Sequence, residues 1–138
     1  MTDDSAHLLE IENLAIGFRS REGLASAVRG VSLHVEKGET VALVGESGSG
    51  KSVTALSILQ LLADSAEATG SIRYQGRELM NANKRVMRDV RGDDISMIFQ
   101  EPMTALNPLH TIERQIAESL TLHRGVKGRD ARARVVEL

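Results

Sequence analysis

The octapeptide Gly45-Glu46-Ser47-Gly48-Ser49-Gly50-Lys51-Ser52, GESGSGKS, concentrates more chemistry than any other stretch of this chain. Glycines at 45, 48 and 50 would weaken a helix or a strand. They let a loop turn tightly and bring backbone N–H groups against an anion. The spacing fits G-x-x-x-x-G-K-[ST], a phosphate cradle. Lys51 supplies a point charge for the outer phosphates of a nucleotide, and the Ser52 hydroxyl suits Mg²⁺, which takes a few oxygen ligands besides phosphate oxygens. Val53 and Thr54 would complete the first turn of a helix whose N-terminal donors and positive dipole end face the anion. Glu46 departs from what a polyanion site favours. Its carboxylate can point outward while its backbone N–H points in.

The other candidates carry less. His7, His34, His110 and His123 are scattered and show no metal-ligand spacing, so they read as ordinary surface or partly buried residues. Arg124, Lys127, Arg129, Arg132 and Arg134 form a basic run without interleaved aromatics, which reads as a solvated helix face rather than a nucleic-acid site. Met97 and Met103 read as packing residues.

The cradle needs a strand before it and a helix after it. Thr40–Val44, TVALV, is a short apolar run with β-branched residues and predicts a strand buried on both faces. Ser52–Leu62 is apolar at helical spacing. Upstream, Leu8–Phe18 alternates and predicts a strand with a bulge at Glu12-Asn13, and Val31–Val35 predicts a half-buried strand. Downstream, Ala63–Gly70 reads as a loop and Ser71–Tyr74 as a strand ending at a Gln75-Gly76 turn. Leu79–Arg91 reads as a surface helix and Ile95–Phe99 as a second buried strand. Thr111 caps a helix that Gly125 ends, and Asp130 caps another. The 138 residues, with 41% hydrophobic content, are globular in composition. A net charge of −2 gives no bulk attraction to nucleic acid or anionic lipid, and the absence of cysteine excludes disulfides and thiolate metal sites. No apolar run reaches the roughly 18–20 residues of a membrane span, and the acidic MTDDSAHLLE is no secretory signal.

With GESGSGKSVTALSILQLL followed by FQEPMTALNPLHTI, the chain resembles the nucleotide-binding domain of ABC transporters, in the dipeptide, oligopeptide and microcin C-type importer branch. The likeness runs from about Leu9 to Val126. It implies an α/β P-loop NTPase fold of ABC type: a β-rich N-terminal subdomain, the phosphate-loop strand and helix, and the start of the helical subdomain. Residues 1–138 would be the N-terminal part of one such domain. Residues 8–100 would form the core with the phosphate loop, and 101–138 the Q-loop and the beginning of the helical subdomain. ATP and Mg²⁺ are the implied cofactors, held by Gly45, Glu46, Ser47, Gly48, Ser49, Gly50, Lys51, Ser52 and Val53. Phe18, one of three aromatics, stands where this family stacks an aromatic on adenine; without the resemblance it reads as a core residue. Gln100 would orient the attacking water and, with Ser52, touch Mg²⁺. An amide donates and accepts at once, which suits that role.

The implied partners are transmembrane permease subunits, met through residues 101–108, a second nucleotide-binding domain, and indirectly a periplasmic peptide-binding protein, with no nucleic acid. The implied place is the cytoplasmic face of the inner membrane. An LSGGQ-like signature, an apolar strand ending in Asp-Glu and a switch histidine are not found in the sequence. ISMIFQE comes nearest to that strand and has Gln where Asp is needed. The expectation is therefore a fragment, possibly from a two-domain chain, that binds MgATP without hydrolysing it and leaves apolar surface uncovered. The alternatives are a non-hydrolysing truncated regulator, an ABC-type ATPase for another cargo, and a phosphate-loop enzyme outside this family. QEPMTALNP disfavours the last.

Overall fold

The computed structural model describes residues 7–101 and 106–138 and divides into two compact units, 1–87 and 88–138. The first unit is built on an antiparallel sheet of order β2-β1-β3-β4, formed by β1 (Leu9–Ser20), β2 (Gly23–Val35), β3 (Ala66–Tyr74) and β4 (Arg77–Glu78). α1 (Lys51–Ile58) lies between β2 and β3 in sequence. β1 pairs with β2 along one edge and β3 along the other, and its alternating apolar residues fill the core. Ile11, Leu14, Ile16 and Ile72 are fully buried, and Val28 and Leu59 nearly so. Burying side chains of this size stabilises by about 1.5–3 kcal/mol each.

The β1–β2 register shifts three times, at Ile11/Leu14, Leu14/Ala15 and Ile16/Gly17, and the first and last of these bulges bear on the site. Register passes from Ile11↔Leu33 to Leu14↔Val31, so Glu12 and Asn13 together face Ser32. Asn13 sits at φ 48°, and its N–H donates to Ser32 Oγ at 2.8 Å. This is the bulge the sequence predicts. The neighbouring strand accommodates it with Gly70 at φ 112°, where a Cβ would lie 2.7 Å from the carbonyl oxygens of both Glu12 and Asn13. The last bulge lies on β2. Ile16↔Val28 is followed by Gly17↔Ser26, which leaves Ala27 unpaired with β1.

A charged cluster crosses the sheet. Arg73 of β3 reaches Glu10 Oε2 at 3.0 Å and Glu12 Oε2 at 3.1 Å on β1, with Glu78 Oε2 4.0 Å away on β4. The hydrogen bond to Glu10, then the charge of Glu12, raises the Arg73 pKa against partial desolvation. Burial alone would push Glu78 up. The Ser71 hydroxyl, the backbone N–H groups of Met80 and Ile72, and Arg73 outweigh it and hold the carboxyl below its ordinary value.

α1 is shorter than its apolar spacing predicts. Gln60 adopts φ 50°, Leu61 N–H donates to Leu56 O at 3.0 Å and Gln60 N–H to Ser57 O at 3.0 Å. That is a Schellman ending with glutamine in the left-handed position. The Gln60 amide compensates by donating to the carbonyls of Leu79, Met80 and Ala82.

Other expectations change. TVALV is not a strand: residues 40–46 carry no pairing, and Val44 is 86% exposed. ISMIF in the second unit likewise makes only the bridge Arg91↔Ile95, and Ile98 is 98% exposed. Both runs have strand-forming composition. A strand exists only where another backbone pairs along it, and among the described residues nothing does so beyond that single bridge. Conversely, 66–70 of the expected loop belongs to β3, drawn into the sheet by pairing with β1 from Ala15↔Thr69 to Phe18↔Ala66.

α2 (Lys84–Val90) is shorter than the expected helix of 79–91. In the second unit, α3 (Ile112–Arg124) is capped by Thr111, whose hydroxyl accepts from Arg114 N–H at 3.2 Å, and ends at Gly125 with φ 66°. α4 (Gly128–Glu137) follows. Its N-cap is Lys127 and not Asp130, which sits in the first turn, where its charge complements the helix dipole. Three residues of the basic run are in ion pairs: Arg132 reaches Glu113 at 3.3 Å, Arg124 reaches Asp93 at 3.8 Å and Arg134 reaches Glu137 at 2.6 Å. Among the described residues no helix is long and apolar enough to cross a membrane.

Candidate nucleotide phosphate site

The glycine loop stands between an unpaired run and a helix, so its shape comes from its own backbone and from β2. Gly48 (φ 81°) and Gly50 (φ 91°) both occupy the left-handed region. At Gly50 the need is double. A Cβ there would lie 2.7 Å from Ala27 O and 3.0 Å from Val28 Cγ2. The unpaired Ala27 of the last bulge is therefore the surface against which the loop is set. Gly45 is constrained within the loop itself, since a Cβ would fall 2.6 Å from Ser49 Oγ.

α1 opens at Gly50. The first helical hydrogen bond is Thr54 N–H to Gly50 O at 2.8 Å, doubled by the Thr54 hydroxyl at 2.9 Å. The N–H groups of Lys51, Ser52 and Val53 thus precede the helical ladder and have no partner within it. They border a cavity of about 160 Å³ lined by Ala27, Gly48, Ser49, Gly50, Lys51, Ser52 and Val53. Pockets for whole drug-sized ligands run from about 300 Å³ upward. This hollow matches the phosphate end of a nucleotide, and a base must lie outside it.

Lys51 holds the loop closed. Its ammonium donates to Gly45 O at 2.8 Å and Glu46 O at 2.7 Å, with Ser49 Oγ at 3.4 Å. Lys51 is the one charged residue lining this cavity, and its ammonium is held by backbone carbonyls. Gly45 through Ser49 are exposed, as is Ser52, so an anion can reach the site from solvent. The residues present fit a polyphosphate with a hard cation. Glycines keep side chains out, three helix-end donors and an ammonium face in, and a hydroxyl stands beside them.

The cassette description of the ABC transporter family matches residues 28–137, from β2 beside the cradle to the end of α4. The chain belongs to the ABC transporter family. As an ABC protein it is 54% identical over 131 residues to the ABC transporter ATP-binding protein YejF of Escherichia coli, covering 94% of this chain and 25% of that one. It is 53% identical over 133 residues to the peptidoglycan transport ATP-binding protein YejF of Agrobacterium fabrum, covering 95% and 24%. It is 49% identical over 133 residues to the oligopeptide transport ATP-binding protein AppD of Bacillus subtilis, covering 95% and 40%. The chain thus spans from about a quarter to two-fifths of the length of these curated relatives. Among solved structures, the ATP-binding cassette MJ0796 bound to ADP and Pi, a dimer in a post-hydrolysis state, superposes with a TM-score of 0.78 at 26% identity, covering 94% of this chain and 54% of that one. The fold is that of an ABC ATPase cassette, of which this chain carries part.

Of the expected phosphate-loop residues, Gly48 to Val53 line the cavity, and Gly45 and Glu46 reach it through their carbonyls, which accept from Lys51. Phe18 lies on the central strand, half-buried and paired with Ala25 and Ala66. It follows Ile16 by two residues on β1, and Ile16 pairs with Val28, whose side chain faces Gly50. The pleat therefore puts Phe18 on the face of β1 that looks toward the phosphate loop. Gln100 belongs to the second unit, exposed at a bend. Of the expected permease-facing segment 101–108, residues 102–105, with Met103, lie outside the described residues. Asn107 is fixed by Gln115, which accepts from its N–H at 3.0 Å and donates to its carbonyl at 3.1 Å. His7 is half-buried and His34 exposed, as expected, and the two rings stack with centroids 4.1 Å apart beside Glu36. Spacing alone could not show this, because the β1–β2 register makes the encounter.

Proposed function

We propose that this chain is the nucleotide-binding part of an ATPase subunit that powers peptide import across a bacterial inner membrane from its cytoplasmic face. The observation that carries the reading is the set of loop glycines, Lys51 and the first turn of α1, assembled against the Ala27 bulge. Gly45, Glu46, Ser47, Gly48, Ser49, Gly50 and Val53 wrap the phosphates through their backbone. Lys51 exchanges loop carbonyls for phosphate oxygens, a swap of charge-assisted hydrogen bonds. Ser52 offers its hydroxyl to Mg²⁺, which when bound neutralises developing phosphate charge. Phe18 carries the adenine, and Gln100 positions water and approaches Mg²⁺. The names of YejF and AppD, which speak of peptidoglycan and oligopeptide transport, support a peptide cargo.

Residues 101–108 meet the permease subunits in this reading, and a second nucleotide-binding domain supplies the opposite face of the nucleotide. A periplasmic peptide-binding protein delivers cargo. The 138-residue chain by itself binds MgATP and does not turn it over, because the signature and the Asp-Glu strand are not in its sequence. Lys51→Ala tests the assignment. Binding of MgATP, measured by calorimetry, weakens by about 1.5–3 kcal/mol, the scale of a hydrogen bond to a charged group. Unchanged affinity refutes the cradle. In the full-length protein, Gln100→Ala leaves affinity nearly intact and slows hydrolysis, whereas a pure binding defect counts against water positioning.

A further inference from the structure

His7, His34 and Glu36 are far from any role in the nucleotide site, yet their ligand atoms all lie within 4.8 Å of one another. We propose that they form a surface site for a divalent transition metal of the zinc class. It would clip the chain entering β1 to the exit of β2.

Three features of the backbone bring them together. His34 and Glu36 are two residues apart at the end of β2, which sets both side chains on one face. The register Leu9↔Val35 brings the residues before β1 alongside that end. The following turn fixes Glu36: its N–H donates to Glu39 Oε2 at 2.7 Å, Glu39 N–H donates to Glu36 O at 3.1 Å, and Gly38 adopts φ 81°.

The donor types suit such an ion. Two imidazoles and a carboxylate match the three-protein-ligand set of open zinc sites, and imidazole also suits copper and nickel. His7 Nδ1 already contacts Glu36 Oε1, and the His7 and His34 rings lie near-parallel, 22° apart. Tetrahedral ligands at zinc bond lengths of about 2.0–2.1 Å stand about 3.3 Å apart. Closing from 4.8 Å asks only for side-chain rotation of the half-buried His7 and the exposed His34 and Glu36. The neighbouring carboxylates do not compete. Glu10, directly opposite His34 in the register, and Glu12 are engaged by Arg73 at 3.0 and 3.1 Å.

The test is zinc titration of the full 138-residue chain, prepared without a histidine tag, by calorimetry. Two-dimensional NMR of the imidazole signals accompanies it. One equivalent binds, and the signals of His7 and His34 shift while those of His110 and His123 stay in place. His34→Ala and Glu36→Gln each weaken binding about tenfold or more, at least the loss typical of removing an outer-shell partner. His110→Ala and His123→Ala leave it unchanged. Circular dichroism verifies that each variant folds; the wild-type NMR result decides the matter if one does not. The proposal is overturned by the absence of saturable binding, by zinc that shifts His110 or His123 instead, or by affinity indifferent to a folded His34→Ala.

Discussion

Alanine at Gly50 should damage the protein in two separable ways, and comparison with two other glycines resolves them. Gly50 lies at φ 91°, so any side chain bears the left-handed penalty, about 1–2 kcal/mol. Its Cβ would also stand 2.7 Å from Ala27 O, a backbone atom that cannot swing aside, and 3.0 Å from Val28 Cγ2. Overpacking of this kind adds about 1–3 kcal/mol, for a total of roughly 2–5 kcal/mol. Gly48 (φ 81°) and Gly76 (φ 75°) share the backbone penalty, but a Cβ at either meets nothing within 4 Å. In urea, with a slope of about 2 kcal/mol/M, Gly50→Ala lowers the midpoint by roughly 1–2.5 M and each of the others by about 0.5–1 M. Binding of a fluorescent ATP analogue with Mg²⁺ then divides the set differently. Gly48→Ala weakens it, and Gly76→Ala, on the turn between β3 and β4, does not. Equal midpoints for Gly50→Ala and Gly48→Ala would refute the contact between loop and bulge. Weaker binding in Gly76→Ala would refute the placement of the site.

Acid should expose the role of Glu78. Its folded pKa is depressed, so its contribution is full above the unfolded value of about 4.3 and is lost as pH falls through the lower folded value. Urea midpoints measured from pH 6 down to pH 3 should fall more steeply for the wild type than for Glu78→Gln, and parallel curves would contradict the assignment. Ile72→Ala, at a fully buried position of β3, should cost about 2–5 kcal/mol in the same assay. Gln60→Ala removes an amide bonded to the 79–82 carbonyls and keeps the left-handed strain. It should destabilise by about 1–3 kcal/mol, and hydrogen exchange should quicken first in α1.

Where a signal is local, sequence and structure agree. GESGSGKS specifies its own turn through glycine, and the Thr111 cap and Gly125 stop mark α3 as the residues themselves require. Alternation in Leu8–Phe18 shows the strand and even its bulge. Where the deciding partner is remote, they part. TVALV has every intrinsic mark of a strand, but strandedness belongs to a pair of backbones, and these residues stand unpaired. AEATG has little β propensity and is a strand because β1 has an edge to fill. The histidine cluster was illegible for the same reason, since His7 and His34 become neighbours only through the register of the hairpin.

The order of pairing in the sheet has a consequence for how the site comes into being. β1 and β2 meet across a tight connection at Arg21-Glu22 and can zip early. β3 joins the other edge of β1 only after the chain has passed through the glycine loop and α1. The cradle sits inside the long connection between β2 and β3, whose closure entropy is borne by the β1–β3 ladder. Ala27, on the local β1–β2 hairpin, is the surface against which the loop is set. Slowing the closure of β3 should delay the appearance of nucleotide affinity while leaving the hairpin's formation untouched.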